Sequence, residues 1–295
     1  MKTEMEIGVN DRAGKDYWDR AWGDEELPAE VDPRASKIWA HRDQVFHREI
    51  ERLLAGMRGR QLRVLELGCA RSAWLPYFAR EFGCRVAGLD YSPLGAKQAA
   101  QRLDEAGIAG EIRCADLFSP PADWIAAFDV VVWFGVAEHF EDTTAAVKAA
   151  AEYLRPGGVL ITEVPNLAGL NGWIQRLFNK PVFDIHVPLA ADDLARHHTA
   201  AGLELMSSRH LVPTDFGVID LAGLPPGPMR TIKDRVLYPL RLFSGAVWWL
   251  DRRIGPLPAG RFSSGFVITA ARKRSSPAAP DEVGTIRAAA IPSDG

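Results

Sequence analysis

Val64-Leu65-Glu66-Leu67-Gly68-Cys69-Ala70-Arg71-Ser72 reads as a short buried strand that ends at an acid and turns at a glycine. Apolar-dominated residues followed by Gly fit a central parallel strand running into a ligand-facing loop. Gly68 permits a positive φ, or lets a ligand approach where a Cβ would stand. Glu66 falls just before the turn, at the strand's C-terminal edge, where open α/β sheets bind their ligands. A strand-to-helix turn without a ligand has the same short pattern, so the decision rests on what surrounds it.

Downstream, strands and helices alternate from residue 62, the pattern of a parallel sheet with right-handed crossovers. Strands are expected at 62–67, 85–89 closing on Asp90, 110–114 ending at Asp116, 129–134 and 159–164. Helices are expected at 74–82, stopped by Gly83; from the Ser92-Pro93 cap to about Ala106; and at 143–154. Pro156-Gly157-Gly158 reads as a tight turn between the last helix and strand. Residues 166–189 read as a loop rich in large apolar side chains, followed by a helix at 190–200 and strands at 203–211 and 265–271.

The flanks are less regular. Residues 1–15 and 274–295 read as disordered, and 16–58 as a helical cap. That cap holds Tyr17, Trp18 and Trp22 and an amphipathic helix over 36–55, with Ser36 as its N-cap and Gly56 as its stop. The core is assigned to 59–212 and 263–273, interrupted by an apolar insertion at 213–262.

Bulk properties narrow the function classes. The 295 residues are 47% hydrophobic and 25% charged, ample for a globular core. A net charge of -3 and the lack of any Lys/Arg block argue against nucleic acid as a partner. Cys69, Cys84 and Cys114 show no CxxC or Cys/His spacing and fit buried packing in a reducing compartment; no metal site is expected. The acidic, polar N-terminus is no secretory signal and no apolar run reaches roughly 18 residues, so the expected location is the cytoplasm.

Three acids end three successive strands: Glu66, Asp90 and Asp116. In dinucleotide-binding folds a carboxylate at the end of the second strand takes the ribose hydroxyls, and Asp90 stands there. A GxGxxG loop would suit a pyrophosphate, but positions 68–73 read Gly-Cys-Ala-Arg-Ser-Ala, and no GxxxxGK[ST] occurs. A nucleoside ligand without pyrophosphate fits better than a nicotinamide cofactor.

The ordered series VLELGCA, GLDYSP, CADLF, FDVVVWFGVAEHF and LRPGGVLITEVPN, over about residues 60–210, resembles the class I S-adenosylmethionine-dependent methyltransferases, nearest to the small-molecule, quinone-biosynthesis type. The resemblance implies an α/β fold: a Rossmann-like three-layer sandwich whose mostly parallel seven-stranded sheet ends in an antiparallel strand. It implies S-adenosyl-L-methionine as cofactor, with Glu66, Gly68 and Ala70 on the methionine side, Asp90 and Tyr91 at the ribose, and Asp116 and Leu117 at the adenine. Phe134 and Gly135 would floor the methyl group, and Glu138 would stand close to cofactor and acceptor. Ala70 and Ser72 stand where the family usually has glycines, and Arg71 and Ser72 depart from its usual loop.

An oxygen acceptor also needs a base, and His139 and His186 are the candidates. His197-His198 is expected on a solvated helix face. The acceptor is expected to be a small molecule, with Tyr17, Trp18, Trp22, Trp173, Phe178 and Phe183 as lid candidates. The apolar stretch 236–253 leaves three uses open: a lid, a homodimer face, or an interfacial membrane helix. Two other classes stand beside the methyltransferase: a nucleotide-dependent oxidoreductase, and a non-catalytic methyltransferase-like subunit.

Overall fold

Side chains along Arg63–Leu67 (β1) alternate between two apolar layers. Val64 packs with Ile50, Leu75, Phe78 and Leu103 on one face, whereas Leu65 and Leu67 pack with Val147, Ala150 and Leu194 on the other. The computed structural model describes residues 11–23 and 27–275. Expectations about 1–10, the tail from 276 and residues 24–26 lie outside it.

The chain runs through α1 (Lys15–Trp22), α2 (His41–Leu54), β1, α3 (Trp74–Phe82), β2 (Arg85–Asp90), α4 (Pro93–Ala106), β3 (Gly110–Cys114) and β4 (Phe128–Phe134). It continues through α5 (Thr143–Glu152), β5 (Leu154–Pro165), α6 (Leu170–Phe178), α7 (Lys180–Asp184), α8 (Ala191–Ala200), β6 (Glu204–Leu211), α9 (Pro228–Ile254) and β7 (Phe266–Arg272). The seven strands form one sheet in the order β3-β2-β1-β4-β5-β7-β6. β7 lies antiparallel to both of its neighbours and all other pairings are parallel. This is the expected fold class. Continuous apolar strands such as Val130-Val131-Val132 are buried on both faces, as helices covering a parallel sheet require.

Local signals hold where a cap or a turn fixes the backbone. Ser92 Oγ accepts the Gly95 amide at the head of α4, and Gly83 and Gly107 end their helices in the left-handed region. Elsewhere the structure differs from the sequence-based expectation. Ser36 is no cap: a 3₁₀ turn at Ile38–Ala40 leads into α2. Pro156-Gly157-Gly158 lies within β5 as an irregularity against β4, because pairing begins at Leu154 before the three extra residues. Residues 166–189 are no open loop; they hold α6 and α7. Asp11, expected in a disordered segment, forms a bridge with Phe140.

Two side-chain expectations also change. His198 is fully buried rather than solvated, with Nε2 2.8 Å from Thr162 Oγ1, which accepts from Trp133 Nε1. Cys114 is exposed, whereas Cys69 and Cys84 are buried.

Candidate active site

The strand order reverses between β1 and β4, and an open parallel sheet receives its ligands in the crevice above that reversal. Gly68 follows β1 and Gly135 follows β4, with φ of 69° and 68°. A Cβ on Gly68 would stand 2.6 Å from Val136 Cγ2, so the two turns cross where glycine alone fits.

Arg71 and Ser72 give the β1 loop its shape. Arg71 takes a left-handed φ of 56°. Ser72 Oγ accepts the Trp74 and Leu75 amides at 3.1 and 2.9 Å, closing the head of α3, and donates to the Glu66 carboxylate. Glu66 therefore turns toward the loop's interior and is not among the residues lining the cavity above the strand ends; its burial pushes the carboxyl up to about 8. It braces the cradle from behind.

A cavity of about 640 Å³ opens above the ends of β1, β2, β3 and β4. From the residues expected at a cofactor it gathers Gly68, Ala70, Asp90, Tyr91, Asp116, Leu117, Phe134 and Gly135. The Asp90 carboxylate accepts the Ala70 amide at 3.0 Å and the Ser92 amide at 2.8 Å. One acid thus fixes both the β1 loop and the start of α4, and each oxygen keeps a lone pair for a ligand hydroxyl. Burial pushes its carboxyl up to about 6. Asp116 stands exposed at the rim, where it accepts the Phe118 amide at 2.9 Å. Hydroxyl-accepting acids, an apolar slot at Leu117 and Phe118, and a glycine cradle fit an adenosine carrying an amino-acid tail.

A second cavity, about 490 Å³, lies beside the first and contains Glu138, His139 and His186. The two cavities share Trp18, Phe134, Gly135 and His139 in their linings. The His139 and His186 rings lie 4.5 Å apart. Nδ1 of His139 faces the Ile185 carbonyl at 2.9 Å, and Nδ1 of His186 faces the Val182 carbonyl at 2.5 Å. A carbonyl only accepts, so each neutral ring holds its proton on Nδ1 and presents an unprotonated Nε2 as an acceptor. Burial, aided by His186, pushes His139 down to about 3; burial also lowers His186. Glu138 is held well above the carboxylate range by burial, and its Oε2 has no hydrogen-bond partner among the described residues. Donor atoms of Glu138, His139 and His186 fall within 4.8 Å of one another, a cluster that sequence spacing did not suggest.

The roof is α1. Trp18 meets the His139 ring edge-on at 4.9 Å, Ser92 Oγ donates to Asp19, and Tyr91 donates to Asp11 at 2.7 Å. Arg12 donates from its side chain to the His186 carbonyl and from its amide to the His139 carbonyl, each at 2.9 Å. Glu163, at the end of β5, is buried in the second cavity and pushed up to about 8 by that burial. Sequence reasoning missed it, although the acid-at-strand-end pattern that selected Glu66, Asp90 and Asp116 also picks out Glu163 in ITEVPN.

With this geometry in place, known proteins add a family. The family described as "Methyltransferase domain" matches residues 38–208, more than half of the chain. The chain belongs to this family. The sequence-based expectation of an S-adenosylmethionine-dependent methyltransferase agrees with it. Curated relatives of this methyltransferase-domain chain include a ubiquinone biosynthesis O-methyltransferase of Xanthomonas axonopodis pv. citri, 32% identical over 35% of this chain and 43% of that one. Another of the same name, from Cereibacter sphaeroides, is 29% identical over 51% of this chain and 64% of its own. The chain thus spans less than two thirds of the length of these relatives. Among solved structures, a geranyl diphosphate C-methyltransferase from Streptomyces coelicolor A3(2) shares the fold with a TM-score of 0.54 and 17% identity, covering 86% of this chain and 96% of that one. The [4+2]-cyclase SpnF shares it at 0.51 and 19%, covering 84% and 86%. Since a cyclase and a methyltransferase both carry this fold, the chemistry has to be argued from the site.

Proposed function

We propose that this chain transfers a methyl group from S-adenosyl-L-methionine to an oxygen of a small-molecule acceptor with a lipid-like or sugar skeleton. The observation that carries the proposal is the meeting of the two cavities at Phe134, Gly135 and a neutral His139. Gly68 and Ala70 would cradle the methionine end, Asp90 and Tyr91 the ribose, and Asp116 and Leu117 the adenine. The cofactor supplies a sulfonium methyl that is already activated. The protein's own contribution is then alignment and exclusion of water, which is worth up to about 7–11 kcal/mol in the best oriented reactions. Phe134, Gly135 and Trp18, which line both cavities, would impose this alignment. His139 Nε2 takes the acceptor's hydroxyl proton, and the Ile185 carbonyl keeps the ring in the required tautomer. The names of the curated relatives support oxygen as the acceptor atom and a quinone-like skeleton.

The experiment is release of S-adenosylhomocysteine from the full chain with hydroxylated quinones, catechols and sugars, with the methylated product identified by mass. Cofactor binding without turnover on any of them would leave the non-catalytic reading. Tight binding of NADH instead would favour the oxidoreductase, against which the missing loop glycines stand. The Glu138–His139–His186 cluster favours a second reading of the same step, in which these three donors hold a divalent cation that polarises the acceptor oxygen. Loss of turnover in EDTA, restored by Zn²⁺ or Mg²⁺, would select that reading over the free base. Homodimer and membrane expectations both concern α9.

A further inference from the structure

α9 is 27 residues long, about 40 Å of helix, and is buried along one stripe only. Leu237, Ser244, Trp248 and Asp251 form that stripe, at steps of seven, four and three. Trp248 Nε1 donates to the Thr214 carbonyl at 2.7 Å, and the Phe216 amide donates to Ser244 Oγ at 3.0 Å. An adjoining exposed face is apolar: Met229, Ile232, Val236, Phe243, Leu250 and Ile254 recur at steps of three, four and seven, each 40% exposed or more. Of the fifteen large apolar side chains exposed among the described residues, nine belong to this one helix. Isolated exposed leucines need no explanation, but a continuous stripe does.

Charge decides what covers it. α9 holds six basic and two acidic residues in a chain of net charge -3. Of the two acids, Asp251 is buried against His41 at 2.9 Å, whereas Asp234 is exposed and is paired within the helix to Arg241 at 3.5 Å. On the exposed side Arg235 and Arg253 pair with no acid among the described residues, and Arg253 lies 5.2 Å over the Trp249 ring. A second copy of this face would set arginine against arginine. An anionic lipid surface would accept both the apolar stripe and its arginine flanks.

We propose that α9 docks this protein, lying flat, on an anionic lipid bilayer. No helix among the described residues is long and apolar enough to cross a membrane, so the contact is interfacial. The helix packs on the 3₁₀ turn Phe216–Val218, whose Gly217 and Val218 line the second cavity, so docking sets that cavity beside the lipid surface. Docking stands without the methyl-transfer reading; delivery of a lipid-dissolved acceptor to His139 rests on it.

The test is co-sedimentation of the full chain with vesicles of phosphatidylcholine alone and of equal parts phosphatidylcholine and phosphatidylglycerol. The chain is expected to pellet with the anionic vesicles and to be released by salt. Phe243→Glu with Leu250→Glu, both solvent-facing, should weaken partitioning at least tenfold while circular dichroism and S-adenosylmethionine binding stay unchanged. Arg235→Ala and Arg253→Ala should each weaken it about fivefold. No pelleting, equal pelleting on neutral vesicles without response to the arginines, or a concentration-dependent dimer that the double Glu variant dissociates would overturn the proposal. If the wild type pellets but binds no S-adenosylmethionine, docking is upheld and the methyl-transfer reading falls.

Discussion

The two halves of the sheet build their cavities by different means. Above β1, β2 and β3 the wall is mostly backbone: Gly68 crosses Val136, and the Asp90 carboxylate gathers the Ala70 and Ser92 amides. Above β4 and β5 the wall is side chain: Glu138, His139, Glu163 and His186 crowd together under Trp18, with few polar partners. The first construction suits a ligand that never changes. The second can be altered one side chain at a time without moving a strand, and it is here that an acceptor would be chosen.

Substitutions should separate these halves. The largest effect is expected at the junction: His139→Ala should lower kcat by about 10²–10⁴ with cofactor affinity nearly unchanged. Because burial pushes His139 down to about 3, it stays neutral far below the ordinary histidine value of about 6.5. The kcat profile should therefore stay flat as pH falls from 8 to 5, and an inflection near 6.5 would break the assignment. The same shift has a stability cost: below about 6.5 the unfolded chain binds a proton that the folded one refuses, so the fold weakens as pH falls from there.

In the backbone-built half, Asp90→Ala should weaken S-adenosylmethionine binding about tenfold to a hundredfold by calorimetry. It should also cost about 2 kcal/mol in urea unfolding, since two amides lose their acceptor. Equal losses of kcat and affinity would mean that the two halves are not separable. Trp18→Ala, which opens the roof over both cavities, should raise the KM for cofactor and acceptor together by a few-fold.

The smallest effect is expected behind the loop. Glu66 is pushed up to about 8, so between about 4.5 and 8 the unfolded chain releases a proton that the folded one keeps, and stability falls as pH rises through that window. Glu66→Gln keeps an acceptor for Ser72 and should flatten this part of the stability profile. An unchanged slope would show that Glu66 contacts more than the loop.

What was legible in the sequence follows the same division. Gly68, Asp90 and Asp116 could be named in advance because a backbone turn and a strand-end carboxylate each demand a particular residue type. α6 and α7 could not, because helices of nine and five residues show too little period to stand out from an apolar loop. The sequence shows 213–262 as an apolar insertion; in the fold Pro239 lies on the exposed side of α9 and Gly245 is packed beside Trp39, and the helix continues past both. Glu138, His139 and His186 converge because the Val187 amide donates to the Glu138 carbonyl at 2.6 Å, a contact between segments far apart in sequence.

The place of β7 between β5 and β6 has a consequence for how the chain is made. β6 leaves synthesis with no strand to pair with, because its partner is the last of the seven in chain order. Until β7 slots in antiparallel, β5 keeps an open edge, and β6 with α9 hangs on a sheet that ends one strand too early. Such an edge invites pairing with other chains. A nascent protein with its first five strands folded is thus exposed to aggregation until β7 closes the sheet. Losing that single late strand would remove two from the sheet.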